Sequence, residues 1–98
     1  MTVTLGLLVR LEAKPGKEQA LAEFLAAGRE LAVAEEQTVT WYACRLSERE
    51  FAIFDTFAAE EGRRAHLEGE IAKALGNVAG DLLVRAPEIT PVDVLAAK

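Results

Sequence analysis

The sequence predicts one α+β domain in which strand, helix, two hairpin strands, helix and strand follow in turn, folded as an antiparallel four-stranded sheet with its helices on one face and working as a symmetric dimer. Three observations carry that expectation. The 98 residues are 51% hydrophobic with only three prolines, which supplies one core and leaves no room for a second domain. Apolar positions alternate with period two along some stretches and recur every three or four residues along others. The central strands are apolar on both sides, and one layer of helices covers only one side.

Leu5, Leu7, Val9 and Leu11 alternate with Thr4, Gly6, Leu8, Arg10 and Glu12, the pattern of a first strand spanning 4–13. Lys14-Pro15-Gly16-Lys17 interrupts it with turn chemistry, because proline fixes φ and glycine admits φ > 0. From Lys17 to about Ala34, Leu21, Phe24, Leu25, Gly28, Leu31 and Ala32 fall on one stripe, with Glu18, Glu23, Arg29 and Glu30 largely outside it. Gly28 costs this helix ~1 kcal/mol relative to alanine. Close approach to the sheet is the compensation the pattern suggests.

Beyond the polar Glu35-Glu36-Gln37, the stretches 38–46 and 51–57 are dense in β-branched and aromatic residues and are joined by Ser47-Glu48-Arg49-Glu50, a hairpin. Asp55 and Thr56 stand where they could cap a second helix, which carries Glu60 and Glu61 in its first turn and Arg63, Arg64 and His66 in its last. Gly69 is expected to break it, leaving 70–75 and 78–84 as short helical turns separated by Gly76-Asn77. Ala86-Pro87 ends the helical region, and 88–96 reads as a final strand that Pro91 confines to an edge or a bulge. This is the ferredoxin-like β-α-β-β-α-β order. Val39, Trp41 and Ala43 oppose Tyr42, Cys44 and Leu46 across the second strand, and Phe51, Ile53 and Phe57 oppose Ala52 and Phe54 across the third. A two-fold pairing of sheet with sheet would bury the side that helices leave bare.

Composition excludes several classes. The formal charge of -5 and the scattered Lys and Arg residues leave no footprint for a nucleic-acid backbone. No apolar run approaches the ~20 residues of a membrane span, and the first ten residues lack a basic leader and read as part of the mature fold. Cys44, the single cysteine, reads as a buried structural thiol in a cytoplasmic protein. One histidine and one cysteine lack the clustered spacing of a metal site, and no Gly-x-Gly-x-x-Gly, Walker loop or Gly-x-Ser-x-Gly occurs. We therefore expect neither metal nor cofactor.

His66 is the one side chain whose ordinary pKa lies near neutrality, so it can serve as a general base; a histidine in the last turn of a helix is also favoured by the helix dipole alone. Trp41 and Tyr42 are adjacent and point to opposite faces, one beneath the helices and the other outward, as core residues or as ligand contacts. Asp55, a charge on the same face as Phe51, Ile53 and Phe57, could cap the next helix, accept from an arginine or act on a ligand. Arg10 and Arg45 could pair with acids at the sheet rim.

Leu8-Val9-Arg10-Leu11-Glu12-Ala13-Lys14-Pro15-Gly16-Lys17 entering a helix, Trp41-Tyr42, Phe51-Ala52-Ile53-Phe54-Asp55-Thr56-Phe57 and Arg64-Ala65-His66-Leu67 together resemble the antibiotic biosynthesis monooxygenase domain family over nearly the whole chain. The resemblance implies a dimeric α+β barrel with a small pocket between sheet and helices in each subunit. It also implies oxidation of quinols or aromatic polyketides without metal or flavin, with His66 as base and Trp41, Tyr42, Asp55 and Phe57 around a small aromatic substrate. Two positions depart from the family: Phe57 stands where many members have tryptophan, and Glu70-Ile71-Ala72 where a second histidine is common. Haem-degrading relatives use an Asn, Trp and His set, whereas Asn77 is the sole asparagine here and lies far from the first strand. A non-catalytic ligand-binding or structural dimer of the same fold is the competing reading.

Overall fold

The computed structural model describes residues 3–98. Strand β1 (Leu5–Glu12) leads into helices α1 (Glu18–Ala27) and α2 (Arg29–Val33); strands β2 (Thr38–Arg45) and β3 (Glu50–Phe57) form the hairpin; α3 (Glu60–Leu67) and α4 (Glu70–Leu82) precede the edge strand β4 (Glu88–Asp93). The sheet order is β2-β3-β1-β4 and every pairing is antiparallel, which is the ferredoxin-like arrangement.

Register decides which side chains share a face. Leu7 lies across from Asp55, Val9 from Ile53 and Leu11 from Phe51, and this side of β1 and β3 is sealed beneath the helices. Leu21 and Leu25 of α1 and Leu75 and Leu82 of α4 close the core over Val9, Leu11, Phe51 and Ile53. On the other side Leu8 pairs with Phe54, and Phe54 with Tyr42, an aromatic and aliphatic surface that no helix among the described residues covers. Tyr42 keeps 55% of its surface exposed there. Cys44 is exposed on the same side of the edge strand β2, so the expectation of a buried thiol does not hold.

Four local expectations are corrected. Lys14 to Lys17 form the expected turn, closed by Lys17 N–H donating to the Lys14 carbonyl at 2.9 Å with Gly16 at φ +86°, but the helix that follows is divided at Gly28. Gly28 does make a close approach, and its neighbour is a helix rather than the sheet: a Cβ there would stand 2.8 Å from Ile71 Cδ1 of α4. Residues 70–82 form one continuous helix through Gly76-Asn77. Ile71, Leu75 and Leu82 are buried along it, with Val78 and Ala79 packed on the core, and this unbroken stripe outweighs the ~1 kcal/mol glycine penalty. The final strand stops at Asp93, and its Pro91 sits on the sheet edge, paired only toward β1.

Candidate functional site

The alternation of β3 that delivers Phe51, Ile53 and Phe57 to the core delivers Asp55 there as well, between Leu7 of β1 and Trp41 of β2. Asp55 is fully buried. A lone carboxylate in such a place costs several kcal/mol unless a partner compensates it. The partner is His66, in the last turn of α3, whose Nε2 lies 2.9 Å from Asp55 Oδ2. Asp55 therefore does not cap a helix; Ala59 stands at the start of α3 and no side chain caps it.

A second carboxylate meets the ring from the other side. Glu35, on the connection between α2 and β2, places Oε1 2.5 Å from His66 Nδ1. Its Oε1 also accepts from Thr38 Oγ1 at 2.8 Å. A bulge in β2 between Thr38 and Thr40 lies beside that contact, and bulges commonly re-aim a side chain in this way. Both ring nitrogens of His66 thus face protein carboxylates. The contact to Glu35 is an aligned hydrogen bond, whereas that to Asp55 is an ion-pair approach without good alignment, and both Asp55 oxygens lack a well-directed donor.

Burial by itself pushes the imidazole pKa down, because the cation loses water. The two carboxylates, Asp55 at Nε2 and Glu35 at Nδ1, together outweigh that loss and raise the pKa to about 8. His66 is only 8% exposed, so the dipole-favoured, solvated histidine allowed by the sequence is not what the fold contains. The Phe57 ring stands behind it, with centroids 5.4 Å apart and planes tilted by 46°.

Beside this trio opens a cavity of about 390 Å³, bounded by Leu31, Ala34 and Glu35 on one side and by Gly62, Ala65, His66 and Gly69 on the other, with Glu36 and Glu70 among its polar residues. Two glycines let the α2–β2 connection lie against α3. A Cβ on Gly62 would come within 3.0 Å of the Gln37 carbonyl, and one on Gly69 within 2.6 Å of Glu35 Oε2.

The sequence-predicted residues are distributed unevenly around this site. His66 lines the cavity wall; Asp55 and Phe57 lie in contact with the imidazole and do not line the cavity. Trp41 shares the helix-covered side with Asp55 and packs against the core, its buried indole N–H without a partner. Tyr42 is on the bare side of the sheet. Arg45 stacks over the Phe51 ring, 4.9 Å from its centroid, instead of pairing with an acid. Among the described residues no group of three His, Cys, Asp or Glu is arranged to hold a metal ion, and no helix is long and apolar enough to cross a membrane. Glu35 was absent from the sequence candidates because Glu35-Glu36-Gln37 reads as an ordinary polar connection. The one available hint was the pair of glycines, Gly62 and Gly69, bracketing His66 on a short helix.

No family model matches the chain, and no curated protein matches it in sequence. Solved structures do. A protein from Nitrosomonas europaea named provisionally as an antibiotic biosynthesis monooxygenase has a TM-score of 0.83 at 14% identity, over 94% of this chain and 90% of that one. One from Chloroflexus aurantiacus, named in the same way, has a TM-score of 0.75 at 16% identity, over 97% and 96%. The chain thus has the α+β fold of the antibiotic biosynthesis monooxygenase-like proteins. A protein of unknown function from Nitrosomonas europaea is 52% identical over 98% of this chain and 93% of its own, with a TM-score of 0.96. The chain belongs to the same family as that protein.

Proposed function

We propose that the protein is a homodimeric, cofactor-independent monooxygenase that oxidises a quinol or polycyclic phenol in the cavity beside His66. The observation that carries this reading is a buried, carboxylate-paired histidine in the wall of a cavity of about 390 Å³, a volume suited to a small aromatic molecule. The likeness to proteins provisionally named as antibiotic biosynthesis monooxygenases supports the reaction class.

In this mechanism His66 removes the phenol proton, and the electron-rich anion passes an electron to dioxygen without a redox cofactor. Recombination at a ring carbon that bears hydrogen, with the proton returned from His66, forms a hydroperoxide. Loss of water then leaves a carbonyl, so one oxygen atom enters the product and the other departs as water. Phe57 and Asp55 act from behind the imidazole, Trp41 seals the sheet beside Asp55, and Tyr42 serves the subunit interface. Dimerisation is supported by the bare surface of Leu8, Tyr42 and Phe54.

The base is the neutral imidazole, and the pKa of about 8 makes that form minor at pH 7. Oxygen uptake with a polycyclic phenol, corrected for uncatalysed autoxidation, should therefore rise through about pH 8 in the wild type and be lost in His66→Ala. Equal uptake by both proteins removes His66 from the mechanism.

One observation favours a second reading. Both ring nitrogens already face carboxylates of the protein. A non-catalytic binding dimer would need nothing more, and ligand-induced stabilisation without oxygen uptake would identify it.

A further inference from the structure

We propose that Glu35 is a positioning residue, which fixes the orientation and charge of the His66 ring and thereby holds the α2–β2 connection in place as one wall of the cavity. The proposal rests on the reading of that cavity as the functional site, yet its test does not depend on turnover.

Three elements converge on the imidazole. Asp55 approaches Nε2 from β3, fully buried and locked by strand pairing on both sides. Phe57 packs on the ring from the same strand. Glu35 approaches Nδ1 from the connection and is the only one of these three that lines the cavity. Among the other charged groups nearby, Glu36 and Glu70 share the cavity but make no ion pair with the ring, and Arg63 on α3 is engaged by Glu60 at 2.6 Å and by the Gly6 carbonyl at 3.3 Å. Asp55 and Glu35 are thus the two partners of His66, one fixed in the sheet and one carried on a connection.

That division assigns distinct roles. A ring clamped only by Asp55 would keep one partner and remain free to tilt about it. Glu35 supplies the second point and is itself steered by Thr38 Oγ1 at 2.8 Å and by the absence of a side chain at Gly69. A methyl group at Gly69 would stand 2.6 Å from Glu35 Oε2 and 3.3 and 3.4 Å from the Ala65 and His66 carbonyls; the Glu35 contact is the tightest and ends a flexible side chain, so the carboxylate turns aside while the carbonyls need give only by a few tenths of an ångström. Gly69 has φ -84°, which alanine adopts without strain. Gly69→Ala therefore displaces Glu35 without changing any charge.

His66 is the only histidine in the chain, so its NMR titration is a single unambiguous curve. In the wild type the midpoint should lie near 8, with the Nδ1 proton visible at neutral pH because it is buried and hydrogen-bonded. Glu35→Gln should lower the midpoint by about one unit, the size expected when one nearby opposite charge is removed, and Gly69→Ala should lower it by a smaller amount in the same direction. A merely structural glutamate would move neither curve. A Glu35→Gln midpoint within about 0.3 units of wild type overturns the proposal, since the expected shift is several times larger. Should Glu35→Gln fail to fold, Gly69→Ala and the wild-type Nδ1 proton decide: an unshifted midpoint or an unobservable proton at pH 7 has the same meaning. Oxygen uptake separates the two claims. Shifted titrations with no uptake at any pH retain Glu35 and remove the monooxygenase; uptake with unshifted titrations does the reverse.

Discussion

The two ends of β3 place similar demands on the fold and meet them by different means. At one end Phe51 and Ile53 pack under Leu21, Leu25, Leu75 and Leu82, an apolar contact that needs only volume and burial. At the other end, two residues further along the same face, Asp55 occupies an equally buried place beside His66, whose other ring nitrogen meets Glu35 from a distant connection. The apolar end is stable by default. The charged end exists only because three elements bring compensating groups together, and hydrophobic residues of similar volume would often pack there as well or better. The cluster lies beside the cavity, and this contrast separates scaffold from candidate site.

The contrast is broken most directly by truncating each end in turn. Asp55→Ala should cost about 3–5 kcal/mol in urea denaturation at pH 6, since it leaves the His66 cation buried with one partner. The cost should shrink at pH 9, where the neutral imidazole no longer needs Asp55. Ile53→Ala should cost about 2–5 kcal/mol, as for other large-to-small core changes, and by the same amount at both pH values. Equal pH dependence in the two variants would erase the distinction between the ends.

A smaller effect follows from His66 alone. Its folded pKa of about 8 lies above the ordinary 6.5, so the stabilisation is fully present below pH 6.5 and is lost as the pH rises through about 8. The loss amounts to about 2 kcal/mol. The difference in unfolding free energy between wild type and His66→Gln, followed from pH 6 to pH 9, isolates it from the other titrating groups. A difference that stays constant over that range would mean the two carboxylates do not hold the proton.

Much of the fold was legible because it depends on local periodicity. The alternation of Leu5, Leu7, Val9 and Leu11, the Pro15-Gly16 turn and the β2–β3 hairpin all appear in the structure as the sequence implies. The errors arose where tertiary packing overrides local propensity. Gly76 does not end a helix whose Ile71, Leu75 and Leu82 are continuously buried, and Gly28 answers to Ile71 on another helix. The site was half legible. His66 and Asp55 stood out as a titratable and a charged residue in apolar surroundings, but their contact across the strand–helix boundary has no signature in spacing. Glu35 was illegible for the same reason in a stronger form: it is 31 residues from His66 and sits among ordinary polar neighbours. Tyr42 could be assigned to a face only once the register with Phe54 was known.

The proposed ligand site is the charged end of the helix layer, and not the apolar end or the bare side of the sheet. Adding a polycyclic phenol to isotopically labelled protein and following amide and imidazole resonances tests it in one series. Saturable shifts are expected at Glu35, Gly62, His66 and Gly69, with Phe51 and Ile53 unmoved. Shifts confined to Tyr42, Phe54 and Cys44, or no saturable shift at millimolar ligand, would contradict it.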